Sequence, residues 1–133
     1  MRTDSVNLSQ TAINAARKSA QSLYGKDHVP DSPRFYEGKT KNAQEAHEAI
    51  RPAGDTFKTP GELATELNRD QLALYDLIWK RTVASQMSDA KKMQARVDFD
   101  VKTSDGKACV FRANGSVVTF PGFLAAYEDV SDD

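Results

Sequence analysis

Apolar residues recur at helical spacing in the first part of the chain and predict a helix over residues 9–24. Ser9 is a suitable N-cap, and Gly25 is a natural stop just past the end. The apolar face of this helix comprises Ala12, Ile13, Ala16, Ala20, Leu23 and Tyr24.

The longest predicted helix spans residues 69–87 and is opened by Asn68. Its apolar face comprises Leu72, Tyr75, Ile78, Trp79, Thr82, Val83 and Met87. Leu74 and Leu77 widen that face, so we expect this helix to be buried on more than one side.

Proline and cap signals divide the region between these helices into a loop and two short helices. Residues 26–41 hold two prolines and many polar residues, which predicts a loop. The first short helix runs from Asn42 to Pro52, and the glutamate three residues after its cap completes a capping box. The run Thr59-Pro60-Gly61-Glu62 has a similar signature and predicts a helix over residues 60–67.

The apolar period changes from helical to alternating near residues 88–94, and we place a domain boundary there. The apolar residues that then alternate with charged ones are Val97, Phe99 and Val101. Asp105-Gly106 and Asn114-Gly115 predict two hairpin turns, and hence an antiparallel meander of three strands. The predicted fold class is α+β, with a helical domain of residues 1–90 and a β-strand segment of residues 91–133.

Composition indicates a soluble globular protein. Apolar residues make up 39% of the chain and charged residues 28%, and no apolar run approaches the roughly 20 residues of a membrane span. No basic-then-apolar leader opens the chain, and the single Cys109 excludes an internal disulfide. Lys and Arg number 18 against 19 Asp and Glu, for a net charge of −1. Because a DNA-binding domain usually carries a basic excess, a nucleic-acid role must rest on a local site or on protein outside this chain.

Polar residues at the start of the chain and in the segment that ends at Arg51 could bind a phosphate group. Arg2 could hold phosphate oxygens with its planar guanidinium, and His47 could donate a hydrogen bond or move a proton. Asp4 would orient either group, and the helix start at Ser9 favours anions. The structural alternative is a frayed terminus at residues 2–4 and the solvated face of a short helix, which would hold Glu45, His47, Glu48 and Arg51.

Other candidate sites are weaker. A zinc site is not predicted, because Arg51 stands where the second histidine of the zinc-protease pattern would be and His28 lies in a loop. Trp79 and Tyr75 have the spacing of core residues rather than of a base-stacking platform. Cys109 suits a small buried apolar residue. Lysines that could touch a DNA backbone, and are solvated by default, are Lys39, Lys41, Lys91 and Lys92.

Three motifs in order give the chain a specific resemblance to a known family. They are Met1-Arg-Thr-Asp-Ser-Val-Asn-Leu-Ser9, Gln44-Glu-Ala-His-Glu-Ala-Ile-Arg-Pro52, and Leu74-Tyr-Asp-Leu-Ile-Trp79 with Ser85-Gln-Met87. Over nearly its whole length the chain resembles bacterial type IA DNA topoisomerases, of the DNA topoisomerase I kind. The family fold is a torus of four domains. The resemblance implies that residues 1–90 belong to the helical catalytic domain and that the later strands belong to the arch.

The resemblance also implies a reaction and residue roles. The family relaxes negatively supercoiled DNA by transient single-strand cleavage through a 5′-phosphotyrosine link, strand passage and religation. By resemblance, Arg2 contacts the scissile phosphate and His47 is the active-site histidine. Asp4, Glu48 and Arg51 support them.

Two family features are missing from these residues. The attacking tyrosine of the family precedes the position that matches Met1, and the chain's tyrosines, none of which occupies that position, are Tyr24, Tyr36, Tyr75 and Tyr127. The magnesium-binding domain, with its Asp-x-Asp-x-Glu cluster, is also missing. We therefore expect a fragment that is inactive alone and holds no cofactor, whereas the parent enzyme uses Mg²⁺.

The expected partners follow from the same resemblance. They are a single-stranded segment of supercoiled DNA, bound through the parent enzyme, and the remaining domains of that enzyme. No membrane partner is expected, the location is the bacterial cytoplasm at the nucleoid, and apolar surface left uncovered could drive a non-native oligomer of the fragment. The alternative function is a non-catalytic α+β protein-interaction module, which would have no affinity for single-stranded DNA.

Overall fold

A computed structural model describes residues 1–37 and 47–128 of the chain. Two helices precede a two-stranded antiparallel sheet, so the fold class is α+β, as predicted. The elements are α1 (Gln10–Tyr24), α2 (Arg69–Ser85), β1 (Lys91–Lys102) and β2 (Ala108–Phe120), with 3-10 turns at Lys26–His28 and Gly122–Ala126. Neither helix in this part of the chain has the length and apolar content of a membrane span.

Helix α1 begins and ends at the residues that its sequence predicts. The Ser9 hydroxyl accepts a hydrogen bond from the Ala12 amide at 3.2 Å, which satisfies one of the free donors of the first turn. Gly25 ends the helix at φ 95°, and its amide donates to the Gln21 carbonyl. The buried face is made mostly of small residues: Ala12, Ile13, Ala15, Ala16 and Ala20.

A capping box opens helix α2. The Gln71 amide donates to Asn68 Oδ1 at 2.9 Å, and the Asn68 amide donates to Gln71 Oε1 at 3.1 Å. The helix ends at Ser85, two residues before the predicted end. Leu74 and Leu77 are 59% and 52% exposed, so the predicted burial on a second side is wrong for the residues that the structure describes.

The core forms where the small face of α1 meets the large side chains of α2. The small alanine side chains of α1 let Trp79 and Val83 of α2, and Met87 just beyond its end, pack against it with little exposed surface. Phe57 from the intervening segment and Ala126 from the last 3-10 turn complete this cluster. The prediction that Trp79 is a core residue is confirmed.

The predicted short helix over residues 60–67 is wrong. Thr59 and Glu62 do form a reciprocal pair, because the Thr59 amide donates to Glu62 Oε2 at 2.7 Å and the Glu62 amide donates to Thr59 Oγ1 at 3.3 Å. The residues after this pair form successive turns, whose hydrogen bonds mostly span three residues. A proline and a glycine directly after the cap give the helix a poor start.

Strands β1 and β2 form one long hairpin rather than a meander of three strands. Asp105-Gly106 makes the turn, as predicted, with Gly106 at φ 85° and its amide bonded to the Thr103 carbonyl. The predicted turn at Asn114-Gly115 is wrong, because these residues pair with Arg96 and Ala95 in the middle of the ladder. Strand β1 is long enough to give them partners, and a turn-prone dipeptide does not require a turn.

The chain divides into two compact units, one of residues 1–89 with the segment from Gly122 onward, and the other of residues 90–121. Within the first unit, the Phe123 amide donates to the Ser88 carbonyl at 2.8 Å, directly after Gly122 at φ 51°. The chain therefore returns to the residues after α2 through a glycine with a positive φ. The domain assignment 1–90 and 91–133 stays a prediction.

Candidate functional site

The first residues of the chain lie alongside residues 47–49, and main-chain hydrogen bonds join the two segments. The Arg2 amide donates to the Glu48 carbonyl at 2.8 Å, the Ala49 amide donates to the Asn7 carbonyl at 2.7 Å, and Arg2 and Ala49 form a parallel bridge. The Ser5 hydroxyl donates to the His47 carbonyl at 2.6 Å. These bonds join two segments that are about forty residues apart in sequence.

This pairing overturns part of the predicted helix between Asn42 and Pro52. Residues 47–51 are not helical, because their main-chain groups bond to the N-terminal segment instead of to each other. The predicted capping box of Asn42 and Glu45 lies outside the described residues. His47 and Glu48 therefore lie on a non-helical segment and not on the face of a short helix.

The Glu48 carboxylate connects three parts of the site. Its Oε1 accepts a hydrogen bond from the Ser9 amide at 3.0 Å, at the start of α1, and another from Arg51 Nε at 2.9 Å. Arg51 Nη2 lies 3.4 Å from Glu48 Oε2. The helix start at Ser9 was predicted to favour an anion, and the anion bonded there is Glu48.

The Glu48 carboxyl is ionised at neutral pH. Burial acts to raise its pKa, but hydrogen bonds from Arg51 and Ser9 outweigh burial and lower the pKa to about 2. Arg51 also donates through Nη1 to the Pro52 and Gly54 carbonyls, both at 2.9 Å. Because only 14% of the Arg51 side chain is exposed, this guanidinium is a fixed clamp on the segment rather than a mobile surface charge.

Arg2 and Asp4 form an ion pair at the surface. Arg2 Nη2 lies 2.7 Å from Asp4 Oδ2, and about half of each side chain is exposed. An exposed pair of this kind is weak, so the guanidinium can exchange its partner for an incoming anion. His47 is half-buried on the adjoining segment. The structure thus brings Arg2, Asp4, His47, Glu48 and Arg51 together on two paired segments.

Comparison with known proteins agrees with the resemblance in sequence. The family model described as DNA topoisomerase matches residues 1–133. The chain belongs to this family. Among its relatives are DNA topoisomerase 1 of Mycolicibacterium smegmatis, 56% identical over 133 residues, and DNA topoisomerase 1 of Synechococcus elongatus, 53% identical over 133 residues. Each alignment covers the whole of this chain and 14% of the relative, so the chain spans about one seventh of their length.

A solved structure supports the type IA assignment. The full-length topoisomerase I from Thermotoga maritima matches with a TM-score of 0.67 and 36% sequence identity. The match covers 97% of this chain and 19% of that one. The chain is thus part of a bacterial type IA DNA topoisomerase, and the match over all 133 residues favours this interpretation over the alternative of an interaction module.

The described residues of this topoisomerase segment do not fit a magnesium ion. Within residues 1–37 and 47–128, no three His, Cys, Asp or Glu side chains lie close enough together to hold a metal. Both carboxylate oxygens of Glu48 already face Arg51, and one also bonds the Ser9 amide.

The sequence contained no signal for a cavity of about 410 Å³ beside the paired segments. Its apolar lining includes Val6, Leu8, Ile13, Phe35 and Ile50. Arg34 and the buried Gln86 also line it, and they bind each other's polar groups: the Arg34 amide donates to Gln86 Oε1 at 3.1 Å, and Gln86 Nε2 donates to the Arg34 carbonyl at 2.9 Å. The two hydrogen bonds connect the loop that contains Arg34 to the end of α2.

The other residues that the sequence offered as candidates are Tyr75, Cys109 and four lysines. Tyr75 packs partly buried against the core, and its hydroxyl donates to the Lys58 carbonyl. Cys109 is half-buried in β2, which is less than the predicted burial. Lys91 and Lys92 are exposed on β1, while Lys39 and Lys41 fall outside the described residues.

Proposed function

We propose that this chain supplies one wall of the DNA-cleavage site in a bacterial type IA topoisomerase. The parent enzyme would relax negatively supercoiled DNA by a transient break in one strand, a 5′-phosphotyrosine link, strand passage and religation. The observation that carries this proposal is the pairing of the two motif segments, in which the Arg2 amide donates to the Glu48 carbonyl at 2.8 Å. This pairing places Arg2 and His47 on neighbouring segments, from which both side chains can contact one phosphate group.

Arg2 is the group that binds the scissile phosphate. Its guanidinium is planar and carries several donors, which suits two non-bridging oxygens at once. Asp4 at 2.7 Å orients the side chain without burying it. Negative charge grows on the phosphate oxygens in the transition state, so a cation bound to those oxygens lowers the barrier to cleavage.

His47 acts beside Arg2 as a hydrogen-bond donor to the phosphate or as a carrier of a proton. Its carbonyl accepts a hydrogen bond from the Ser5 hydroxyl at 2.6 Å, and the main chains of the next two residues, Glu48 and Ala49, bond to the N-terminal segment. A histidine whose main chain is restrained in this way needs little reorganisation before reaction.

Glu48 and Arg51 act as positioning residues. Their ion pair at 2.9 Å holds the Glu48 carboxylate in place. The hydrogen bond of 3.0 Å that this carboxylate accepts from the Ser9 amide joins the His47 segment to the start of α1. Because the low pKa of Glu48 keeps it ionised, the helix start already has its anion. The DNA phosphate is therefore bound by Arg2 and His47, and not by the amides of α1.

The attacking tyrosine lies outside these 133 residues, as the family resemblance implies. Burial raises the pKa of Tyr24 and of Tyr75, which disfavours the phenolate. The hydroxyl of Tyr36 donates to the Ser85 carbonyl. None of the three is prepared for nucleophilic attack. A polypeptide of these residues alone would not cleave DNA.

The rest of the parent enzyme supplies what this chain does not. Mg²⁺ and the tyrosine would come from the remaining domains of the same enzyme, and the DNA bound is a single-stranded segment. The parent would work in the bacterial cytoplasm, at the nucleoid. A polypeptide of these residues alone would be prone to non-native oligomers, because apolar surface is left uncovered.

The proposal is tested by relaxation of negatively supercoiled plasmid with the full-length parent enzyme. Arg2→Ala should slow relaxation about a hundredfold, the usual scale for one lost oxyanion-stabilising group. Arg69→Ala is the matched control, since Arg69 is exposed at the start of α2 and outside the paired segments. Equal rates for the two variants would refute the proposed role. Relaxation by the 133-residue polypeptide alone would refute the assignment of the nucleophile.

A further inference from the structure

Residues 3–6 form a loop whose two ends meet at one peptide group, the one between Glu48 and Ala49. The Arg2 amide donates to the carbonyl of this group at 2.8 Å, and the Asn7 carbonyl accepts from its amide at 2.7 Å. The carbonyl and the amide of a trans peptide point to opposite sides. Residues 3–6 therefore pass from one side of residues 47–49 to the other, and we call them the crossing loop.

Ser5 is the half-buried residue of the crossing loop, whereas the other three residues of the loop are exposed. Its hydroxyl donates a hydrogen bond to the His47 carbonyl at 2.6 Å and accepts one from the Asn7 amide at 3.2 Å. A serine hydroxyl has a single proton to donate, and the His47 carbonyl takes it. The Ser5 side chain is thus fixed between the crossing loop and the segment that carries His47.

These contacts restrain the main chain on the carboxyl side of His47. The carbonyl bonded by Ser5 belongs to the peptide group that directly follows the His47 Cα. The next peptide group is bonded by Arg2 on one side and by Asn7 on the other. Two successive peptide groups are therefore fixed by the N-terminal segment. Because the rotamers open to a side chain depend on its backbone angles, this restraint also limits where the His47 imidazole can point.

We infer that Ser5 is a positioning residue for His47 in DNA cleavage. Its hydroxyl acts through the His47 main chain and does not contact the DNA phosphate. The inference rests on the proposed function, because that function places His47 at the phosphate. Arg2 binds the phosphate, and Ser5 fixes the place at which His47 meets it, so that less reorganisation is needed before reaction.

A local turn does not account for both hydrogen bonds of the Ser5 hydroxyl. The bond from the Asn7 amide, two residues on, is the pattern of a serine turn, which needs the hydroxyl only as an acceptor. The proton that Ser5 donates goes instead to a carbonyl 42 residues away in sequence. At 2.6 Å this long-range bond is the shorter of the two, and it extends the role of Ser5 beyond the crossing loop.

A double-mutant cycle in the full-length parent enzyme tests the inference. Ser5→Ala removes the hydroxyl and Ser5→Thr keeps it, and each is made with and without His47→Ala. Ser22→Ala is the matched control, since Ser22 is exposed on α1 and outside the paired segments. Single-turnover cleavage of a labelled single-stranded oligonucleotide gives two quantities for each variant, the maximal rate and the half-saturating oligonucleotide concentration.

Ser5→Ala should lower the maximal rate about tenfold, because one orienting hydrogen bond is lost. The half-saturating concentration should not change, because no DNA contact is removed. Ser5→Thr and Ser22→Ala should cleave at the wild-type rate. When His47→Ala is already present, Ser5→Ala should slow cleavage by no more than about twofold, because the residue that it positions is absent.

A wild-type rate for Ser5→Ala would overturn the inference and leave the cleavage-site proposal intact, since that proposal depends on Arg2 and His47. A tenfold loss that recurs beside His47→Ala would show that Ser5 acts independently of His47. Equal losses for Ser5→Ala and Ser5→Thr would show that the hydroxyl is not the group that matters, and a raised half-saturating concentration would show a direct DNA contact. Each of these results overturns the inference. A wild-type rate for His47→Ala alone would refute the proposed role of His47, and the inference with it.

Discussion

The main-chain amide of Arg2 donates a hydrogen bond of 2.8 Å to the carbonyl oxygen of Glu48. This contact joins the Arg-Thr-Asp-Ser segment to the His-Glu-Ala segment in a parallel pair, and the Glu48 side chain extends the connection to Ser9 and Arg51. Main-chain pairing sets the position of the two segments, while the side chains of Arg2 and Asp4 in the first segment remain exposed at the surface. The proposed phosphate site is thus built from a restrained backbone and accessible charges.

Removal of the Glu48 charge should make the stability of the protein less dependent on acid pH. The pKa of Glu48 lies at about 2 in the folded state, below its ordinary value of 4.5. Ionised Glu48 therefore stabilises the fold fully above pH 4.5, and this contribution is lost as the pH falls toward 2. Glu48→Gln should lower the melting temperature at neutral pH, and its difference from wild type should shrink across that window.

Glu62→Gln is the control for this measurement, because Glu62 is exposed and, among the residues that the structure describes, its hydrogen bonds are to Thr59. Melting curves of the full-length enzyme and of both variants, recorded as the pH is lowered, give the comparison. A difference between Glu48→Gln and wild type that stays constant down to pH 2 would contradict the assigned ion pair.

Gly122→Ala should strongly destabilise the protein. A Cβ atom at this position would lie 2.4 Å from the Asp89 carbonyl oxygen and 2.5 Å from that of Ser88, and φ is 51°. Because both obstacles are backbone atoms, relief requires the main chain to move, and we expect a loss of about 3 kcal/mol in the free energy of unfolding.

Two other glycines separate the causes. Gly106 also has a positive φ, of 85°, but nothing lies within 4 Å of its Cβ position, so Gly106→Ala should cost only about 1 kcal/mol. Gly115 has neither feature, and Gly115→Ala should be close to neutral. Denaturant unfolding of the three variants checks the order. Equal losses at positions 122 and 106 would mean that crowding contributes nothing.

Gln86→Leu should lower the free energy of unfolding by about 2 kcal/mol, because the amide and carbonyl of Arg34 would each lose a partner. Gln86 is 1% exposed, so water cannot readily replace it. Gln21→Leu, at an exposed position of α1, makes the same chemical change without these partners and should be nearly neutral. Chemical denaturation would contradict the role of Gln86 if both variants unfold at the same midpoint.

Local signals predicted the elements that depend on local contacts. Ser9 and Asn68 cap their helices as expected, because each bonds to an amide within the next three residues. The non-helical structure of residues 47–51 could not be predicted in this way, since the groups that bond to this segment lie near Arg2, more than forty residues away. Asn114-Gly115 was misread for the same reason: its pairing partners belong to a distant part of β1.

For the candidate site, the sequence predicted the residue types that carry the chemistry but not the contacts that position them. The motifs indicated which residue types carry the chemistry, because arginine and histidine near a phosphate have an evident use. They did not indicate that Glu48 would take the anion position at Ser9, or that Ser5 would hold the His47 carbonyl. Both contacts exist only once two remote segments are paired, so they follow from tertiary structure and not from spacing.

The most direct test of the proposed site is single-turnover cleavage of a labelled single-stranded oligonucleotide by the full-length enzyme. The variants are Arg2→Ala, His47→Ala and the double substitution, and the melting temperature of each is recorded beside its rate. We expect the cleavage rate to fall about a hundredfold for Arg2→Ala and by a similar or smaller factor for His47→Ala, with nearly unchanged melting temperatures. We also expect the double substitution to slow cleavage by less than the product of the two single effects, because both residues contact one phosphate. Unchanged cleavage with a clear fall in melting temperature would show that Arg2 and His47 are structural residues and would contradict the account.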